Sequence, residues 1–197
     1  PANVAHDEMV PVLRRLRELS RNDGTMSGLR DEGKTPGVVF SPDTQLMRLV
    51  PTWTAQGILL GVGALDFGAP RRDPKVYTYL YYSGATGQSF RDLLHDKSGD
   101  TFLNHYARSA IFGLPRVSSK LTFHYKPIQD AEIEEQVHAY ETYVQLYSRE
   151  VALKHPIAYV VVRRNSGFDF SRLDLWYERD AAEHVGAYDL YRLKLRS

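Results

Sequence analysis

Apolar positions three and four residues apart run through Asp7 to Arg21, where Val12, Leu13, Leu16 and Leu19 form one stripe. That spacing predicts a helix, with Pro11 tolerated in its first turns and Asn22-Asp23-Gly24 ending it. Arg14, Arg15, Arg17 and Arg21 fall on its other faces, which suits either a solvated surface or one that meets phosphate. From Asn22 to Pro51 the chain is rich in Gly, Pro, Asp and Thr and reads as a connector with one short strand, Val38-Val39-Phe40. Gly57 to Val62 reads as a strand, Asp66 to Pro74 as turn material, and Val76 to Ser83, dense in Tyr and other β-formers, as a second strand. Together they predict a β-hairpin.

The pattern then returns to helical spacing. Ser89 to Asp96 presents Phe90, Leu93 and Leu94 on one side, and Phe102 to Phe112 repeats the motif before Gly113 and Pro115 stop it. Leu121 to Tyr125 alternates as a strand. Ile133, Val137, Tyr140, Val144, Tyr147 and Val151 keep one stripe from Asp130 to about Leu153, which predicts a single long helix broken by His155-Pro156. Ile157 to Arg163, Leu173 to Tyr177 and Tyr188 to Leu195 read as C-terminal strands. The order predicts an α+β fold, with a small mixed or antiparallel sheet packed against helices. Two parts are expected: residues 1–55 as an N-terminal helix and loop-rich extension, and residues 56–197 as the α+β domain with added C-terminal strands.

Composition narrows the chemistry. The 197 residues include no Cys, which removes disulfides, thiolate metal sites and cysteine nucleophiles together. The longest apolar run, Ile157 to Val162, has a strand's length, so no membrane partner is expected. No basic-then-apolar leader opens the sequence, which predicts an intracellular location, cytoplasmic or nuclear. With 25 basic against 24 acidic residues the net charge is only +1, so contact with nucleic acid would need a local basic face. No His-x-x-x-His spacing suggests zinc.

The densest candidate chemistry lies in Tyr82-Ser83-Gly84-Ala85-Thr86-Gly87-Gln88-Ser89-Phe90-Arg91-Asp92-Leu93-Leu94-His95. A phenol precedes a small-residue turn, and the following helix sets Arg91 and His95 four apart on one face. A guanidinium offers a planar fork to phosphate, and a helix N-terminus favours an anion.

This segment resembles the GIY-YIG nuclease superfamily. Tyr82-Ser83-Gly84 stands in the place of Tyr-Ile-Gly, Ala85-Thr86 in the turn, and Arg91 with His95 on the first helix, the likeness running from about Gly57 to Asn165. The resemblance implies a GIY-YIG-like core and a divalent-metal-dependent endonuclease that hydrolyses phosphodiesters of nucleic acid, DNA first. Tyr82, with Tyr77, would orient or deprotonate water, Arg91 stabilise the phosphate, and His95 relay a proton. A carboxylate on the long helix would hold Mg²⁺ or Mn²⁺. Of Glu132, Glu134, Glu135, Glu141 and Glu150, Glu141 lies about 60° from the centre of the apolar stripe and fits best. Lys120, Arg164 and Asn165 would bind substrate. The first signature, at Gly57-Ile58-Leu59, has no Tyr, and from this comes the alternative: a catalytically silent module that binds nucleic acid or a protein. Geometry discriminates the two. Tyr82, Arg91, His95 and Glu141 must share one concave surface for catalysis; if the phenol stands apart, the binding module is the better reading.

Overall fold

Backbone hydrogen bonding sorts the chain into eight helices and six strands among the residues that the computed structural model describes, namely 2–22, 38–54, 57–59, 74–96, 102–113 and 127–197. The fold is mixed α+β, as expected. It packs as two units: Pro1–Gly61 with Arg149–Ser197, and Val62–Ser148.

The first unit is built on the sheet. Its elements are α1 (Ala2–Asn22), β1 (Val38–Phe40), α2 (Thr44–Trp53) and β2 (Gly57–Ile58), joined later in the chain by further strands and two short helices. β3 (Ile157–Arg163) carries the densest apolar run and takes the centre. β4 (Tyr177–Arg179), β5 (Glu183–Val185) and β6 (Tyr188–Leu195) complete the sheet, in the order β2-β1-β3-β6-β4 with β5 beside β6. β1 runs parallel to β2 and β3, whereas β6 is antiparallel to β3, β4 and β5. The alternation of side chains sends Tyr159 and Val161 to one face and Val160 and Val162 to the other. The first face meets the apolar stripe of α1: Val12, Leu13, Leu16 and Leu19 pack with Val39, Leu46, Val50, Tyr188 and Leu190 in one buried cluster.

Three expectations change here. The N-terminal segment is no extension, since α1 and β1 belong to the core of the sheet. Of the C-terminal strands, β3 and β6 lie inside the sheet rather than being added to its edge, β6 pairing with three others, while β4 stands at the edge. The presumed connector holds α2, capped by Asp43, whose Oδ1 accepts from the amides of Gln45 and Leu46 at 3.0 and 3.1 Å. Asp43 Oδ2 accepts the Tyr188 hydroxyl proton at 2.8 Å, tying the cap to β6. Burial, then that bond, pushes the Tyr188 phenol well above its ordinary value. Within the span read as a strand at Leu173–Tyr177, a short helix ends at Asp174 before β4 begins.

The second unit is helical among its described residues: α3 (Pro74–Tyr82), α4 (Gly87–His95), α5 (Phe102–Phe112) and α6 (Asp130–Gln145). The hairpin is therefore not formed, because Val76–Ser83 lies in α3 and the turn after it. The reason is burial. Val76, Thr78, Tyr79, Leu80, Tyr81 and Tyr82 are all buried, so this helix is apolar nearly all round and shows no helical periodicity. The long helix also divides: α6 ends at Gln145, and α7 (Arg149–Lys154) belongs to the first unit. The strand expected at Leu121–Tyr125 and the second half of that expected at Gly57–Val62 lie outside the described residues.

Candidate functional site

Five of the eight predicted site residues lie on α4, α6 and the helix before them, and their arrangement follows from how α4 is started. Thr86 caps it, its hydroxyl accepting from the Ser89 amide at 3.1 Å while Ser89 Oγ accepts from the Thr86 amide at 2.8 Å. α4 buries Phe90 and Leu94 and so turns Arg91 and His95 outward. α6 buries Ile133, Val137 and Tyr140 and runs antiparallel to α4: Tyr140 Oη donates to Ala85 O at 2.9 Å at one end, and His95 Nδ1 lies 3.8 Å from Asp130 Oδ1 at the other.

Arg91 stands between those ends. Its Nε and Nη2 donate to Glu134 Oε1 and Oε2 at 2.6 and 2.7 Å, a fork-to-fork pair, and Nη1 donates to Gln88 Oε1 at 2.8 Å. The hydrogen bond to Glu134 raises the Arg91 pKa further, helped by the charges of Glu134, Glu141 and Asp92, and the same bond holds Glu134 below the usual carboxylate range. Glu141 lies about two turns of α6 beyond Glu134, against the start of α4. A Cβ placed on Gly87 would meet Glu141 Oε1 at 2.0 Å, so the carboxylate occupies the space that any larger residue at position 87 would fill.

The phenols go elsewhere. Tyr82 is fully buried, and its hydroxyl accepts from Tyr147 Oη at 2.7 Å. Tyr147 in turn stacks on Tyr81 with ring centroids 3.8 Å apart. Tyr77 donates to Gln136 Oε1 at 3.0 Å and sets its ring among Phe90, Tyr140 and Tyr143 at 5.6–5.9 Å. Tyr143 shares a 2.7 Å hydrogen bond with Thr78, and burial raises its phenol, so it holds its proton at neutral pH. These tyrosines build the core of the helical unit among its described residues.

Thus Arg91, His95 and Glu141 share the face along α4 and α6, while Tyr77 and Tyr82 are engaged in packing. Arg164 and Asn165 form the turn after β3 in the sheet unit, where Arg164 Nε lies 3.8 Å from Asp189 Oδ1 and Asn165 has φ +59°. Lys120 lies outside the described residues. Among the described residues no three His, Asp or Glu side chains gather to hold a divalent ion, and the charged group beside Glu141 is the Arg91 guanidinium.

A second charged surface is the arginine face of α1. On α1, Arg14, Arg17 and Arg21 are exposed and have no intramolecular hydrogen-bond or ion-pair partner among the described residues. At 100° per residue they lie within a stripe about 60° wide. Other arginines of the sheet unit are paired: Arg15 with Glu183 and Glu18, Arg163 with Glu8, and Arg179 with Asp174. Glu18, which borders the stripe, is already bonded to Arg15, and Asp7 extends it toward the helix N-terminus.

The fold and these surfaces define a mixed α+β protein of two units, with no described helix long and apolar enough to cross a membrane. Compared with protein-family models, curated proteins and solved structures, the chain matches none.

Proposed function

We propose that the chain is a binding module for the phosphate backbone of nucleic acid, without phosphodiesterase activity of its own. The observation that carries this reading is the α1 stripe, where Arg14, Arg17 and Arg21 have no partner among the described residues while neighbouring arginines are neutralised. Guanidinium groups at i, i+3 and i+7 present planar donors along one line, which suits successive phosphates. A membrane surface is the poorer fit, because the apolar stripe of α1 is spent in the core and leaves little to enter lipid.

The absence of catalysis rests on the other unit. A nuclease of the kind that the resemblance implies needs a phenol at the attacking water and an arginine open to phosphate. Tyr82 is buried against Tyr147, and Arg91 is held by Glu134.

Binding of labelled DNA and RNA, measured as a function of salt, tests the proposal. Three phosphate contacts predict a slope of about −2.7 in log K against log salt for duplex DNA, and Arg14→Ala/Arg17→Ala/Arg21→Ala should remove it. Binding unaffected by that triple change refutes the α1 assignment. Cleavage in Mg²⁺ or Mn²⁺ that disappears in Glu141→Ala restores the endonuclease reading.

A further inference from the structure

The turn after β3 reads Arg163-Arg164-Asn165-Ser166-Gly167, and neither the fold nor the binding surface uses its serine. We infer that Ser166 is a phosphorylation site for a serine/threonine kinase that selects basic residues two and three positions before the acceptor. The acidic substrate groove of such an enzyme is complementary to two guanidinium groups, and Arg163 and Arg164 stand at those positions.

The structure makes this serine available. Residues 163–167 are all exposed, and the Ser166 hydroxyl has no partner among the described residues. The turn is anchored where the sheet ladder ends, by the Arg163–Tyr188 register and by Arg164 N donating to Ala187 O at 2.9 Å. Beyond that anchor the crest is held by one hydrogen bond, Ser166 N to Arg163 O at 3.1 Å. Gly167, at φ +67°, has open space where a side chain would stand, so an enzyme could approach from that side. Phe168 closes the turn by packing against Phe40 and Phe170, with centroids 6.0 and 4.8 Å away. Ser20, which also follows an arginine by three residues, provides the contrast: it is fully buried and its hydroxyl donates to Leu16 O at 2.9 Å.

In the reaction, Ser166 Oγ attacks the γ-phosphorus of a nucleoside triphosphate bound to the kinase. The bond from that phosphorus to the bridging oxygen breaks, the nucleoside diphosphate leaves, and the hydroxyl proton passes to the kinase's base. The product carries close to two negative charges beside Arg163 and Arg164. Arg164 is only loosely held, 3.8 Å from Asp189, whose carboxylate also meets His184 Nδ1 at 2.6 Å. The phosphoryl group therefore takes Arg164 and leaves Asp189 to His184. Arg163, which donates to Glu8 at 2.9 Å, is the second cation in reach along the turn.

The test treats the folded full chain with the catalytic subunit of a cyclic-nucleotide-dependent kinase and MgATP, followed by intact-mass and fragment analysis. One phosphoryl group on Ser166 is expected, absent in Ser166→Ala. Arg163→Ala and Arg164→Ala should each slow the modification about tenfold or more, with Arg164→Lys recovering part of the rate. In the phosphorylated chain the Arg164 Nε–H resonance should move, and move back as the phosphate is protonated near pH 6. Equal modification of Ser166→Ala, or modification at Ser118 or Ser119 after Arg116 instead, overturns the assignment. So does a synthetic peptide of residues 160–171 that is modified while the folded chain is not.

Discussion

The two units close their polar groups in opposite ways. The helical unit turns its charges on each other, Arg91 to Glu134 and His95 toward Asp130, and places tyrosine hydroxyls inside, each with a partner. The sheet unit has a largely aliphatic core under α1 and leaves three arginines of that helix without a partner among the described residues. A charged side chain of a familiar type at a familiar spacing is therefore a poor guide to function until its partner is known. Arg91 had the better motif, and Arg14, Arg17 and Arg21 have the freer charge.

The largest effect that separates the units should come from cutting the aliphatic core. Leu16→Ala is expected to destabilise the sheet unit by about 2–5 kcal/mol, seen in denaturant unfolding. A loss well under 1 kcal/mol would mean that α1 is not held by this cluster. Tyr82→Phe is the matching cut in the helical unit, where it keeps the ring but removes the acceptor of the Tyr147 hydroxyl. A loss of about 1–3 kcal/mol is expected, and a neutral result would show that the tyrosine core is held by ring packing alone.

The pH dependence sharpens the contrast further. The Tyr188 phenol is raised by burial and by its bond to Asp43, so the stability it contributes is fully present below the ordinary tyrosine value of 10.0 and is lost as pH rises through the higher folded value. The gap between wild type and Tyr188→Phe should be constant up to about pH 10 and shrink above it. Glu134 is the reverse case. Its pKa is lowered by Arg91, so its contribution is present above the ordinary glutamate range and lost as pH falls through the folded value. Glu134→Gln should thus differ from wild type only slightly at neutral pH, the pair being exposed, and the difference should vanish in acid. A large neutral-pH effect would show the pair to be a structural clasp rather than a surface contact.

Legibility in the sequence followed the same division. α1, β3 and β6 are amphipathic or uniformly apolar over a length that one element type explains; the spans of β3 and β6 were readable from spacing alone, while α1 begins at Ala2, five residues before the expected Asp7. α3 was not, because a helix buried on nearly every side loses its period and its tyrosines favour a strand reading. The break at Leu146 was equally hidden. No Gly or Pro marks it, and the stripe continues in register to Val151, although Leu146 itself ends 72% exposed. α2 was announced by Asp43 and by Leu46, Met47 and Val50, and was masked by the turn-rich text around it. At the candidate site, Arg91 and His95 four apart have an opposite-sign match in Asp130 and Glu134, also four apart. That pairing was visible in the letters, but only an antiparallel packing of α4 on α6 gives it meaning.

The register of β1 has a consequence for how the chain is made. Val38 pairs with Ile157, so one of the two parallel partners of the first strand is separated from it by more than a hundred residues. At 5–20 residues per second, about 6–24 s of synthesis separates the two on the ribosome. Throughout that interval α1 and β1 are complete while β3 and β6, which cover them, do not yet exist. The apolar stripe of α1 thus stays uncovered and open to a nascent-chain chaperone for that time, and the whole intervening unit must be closed into one loop before the sheet forms.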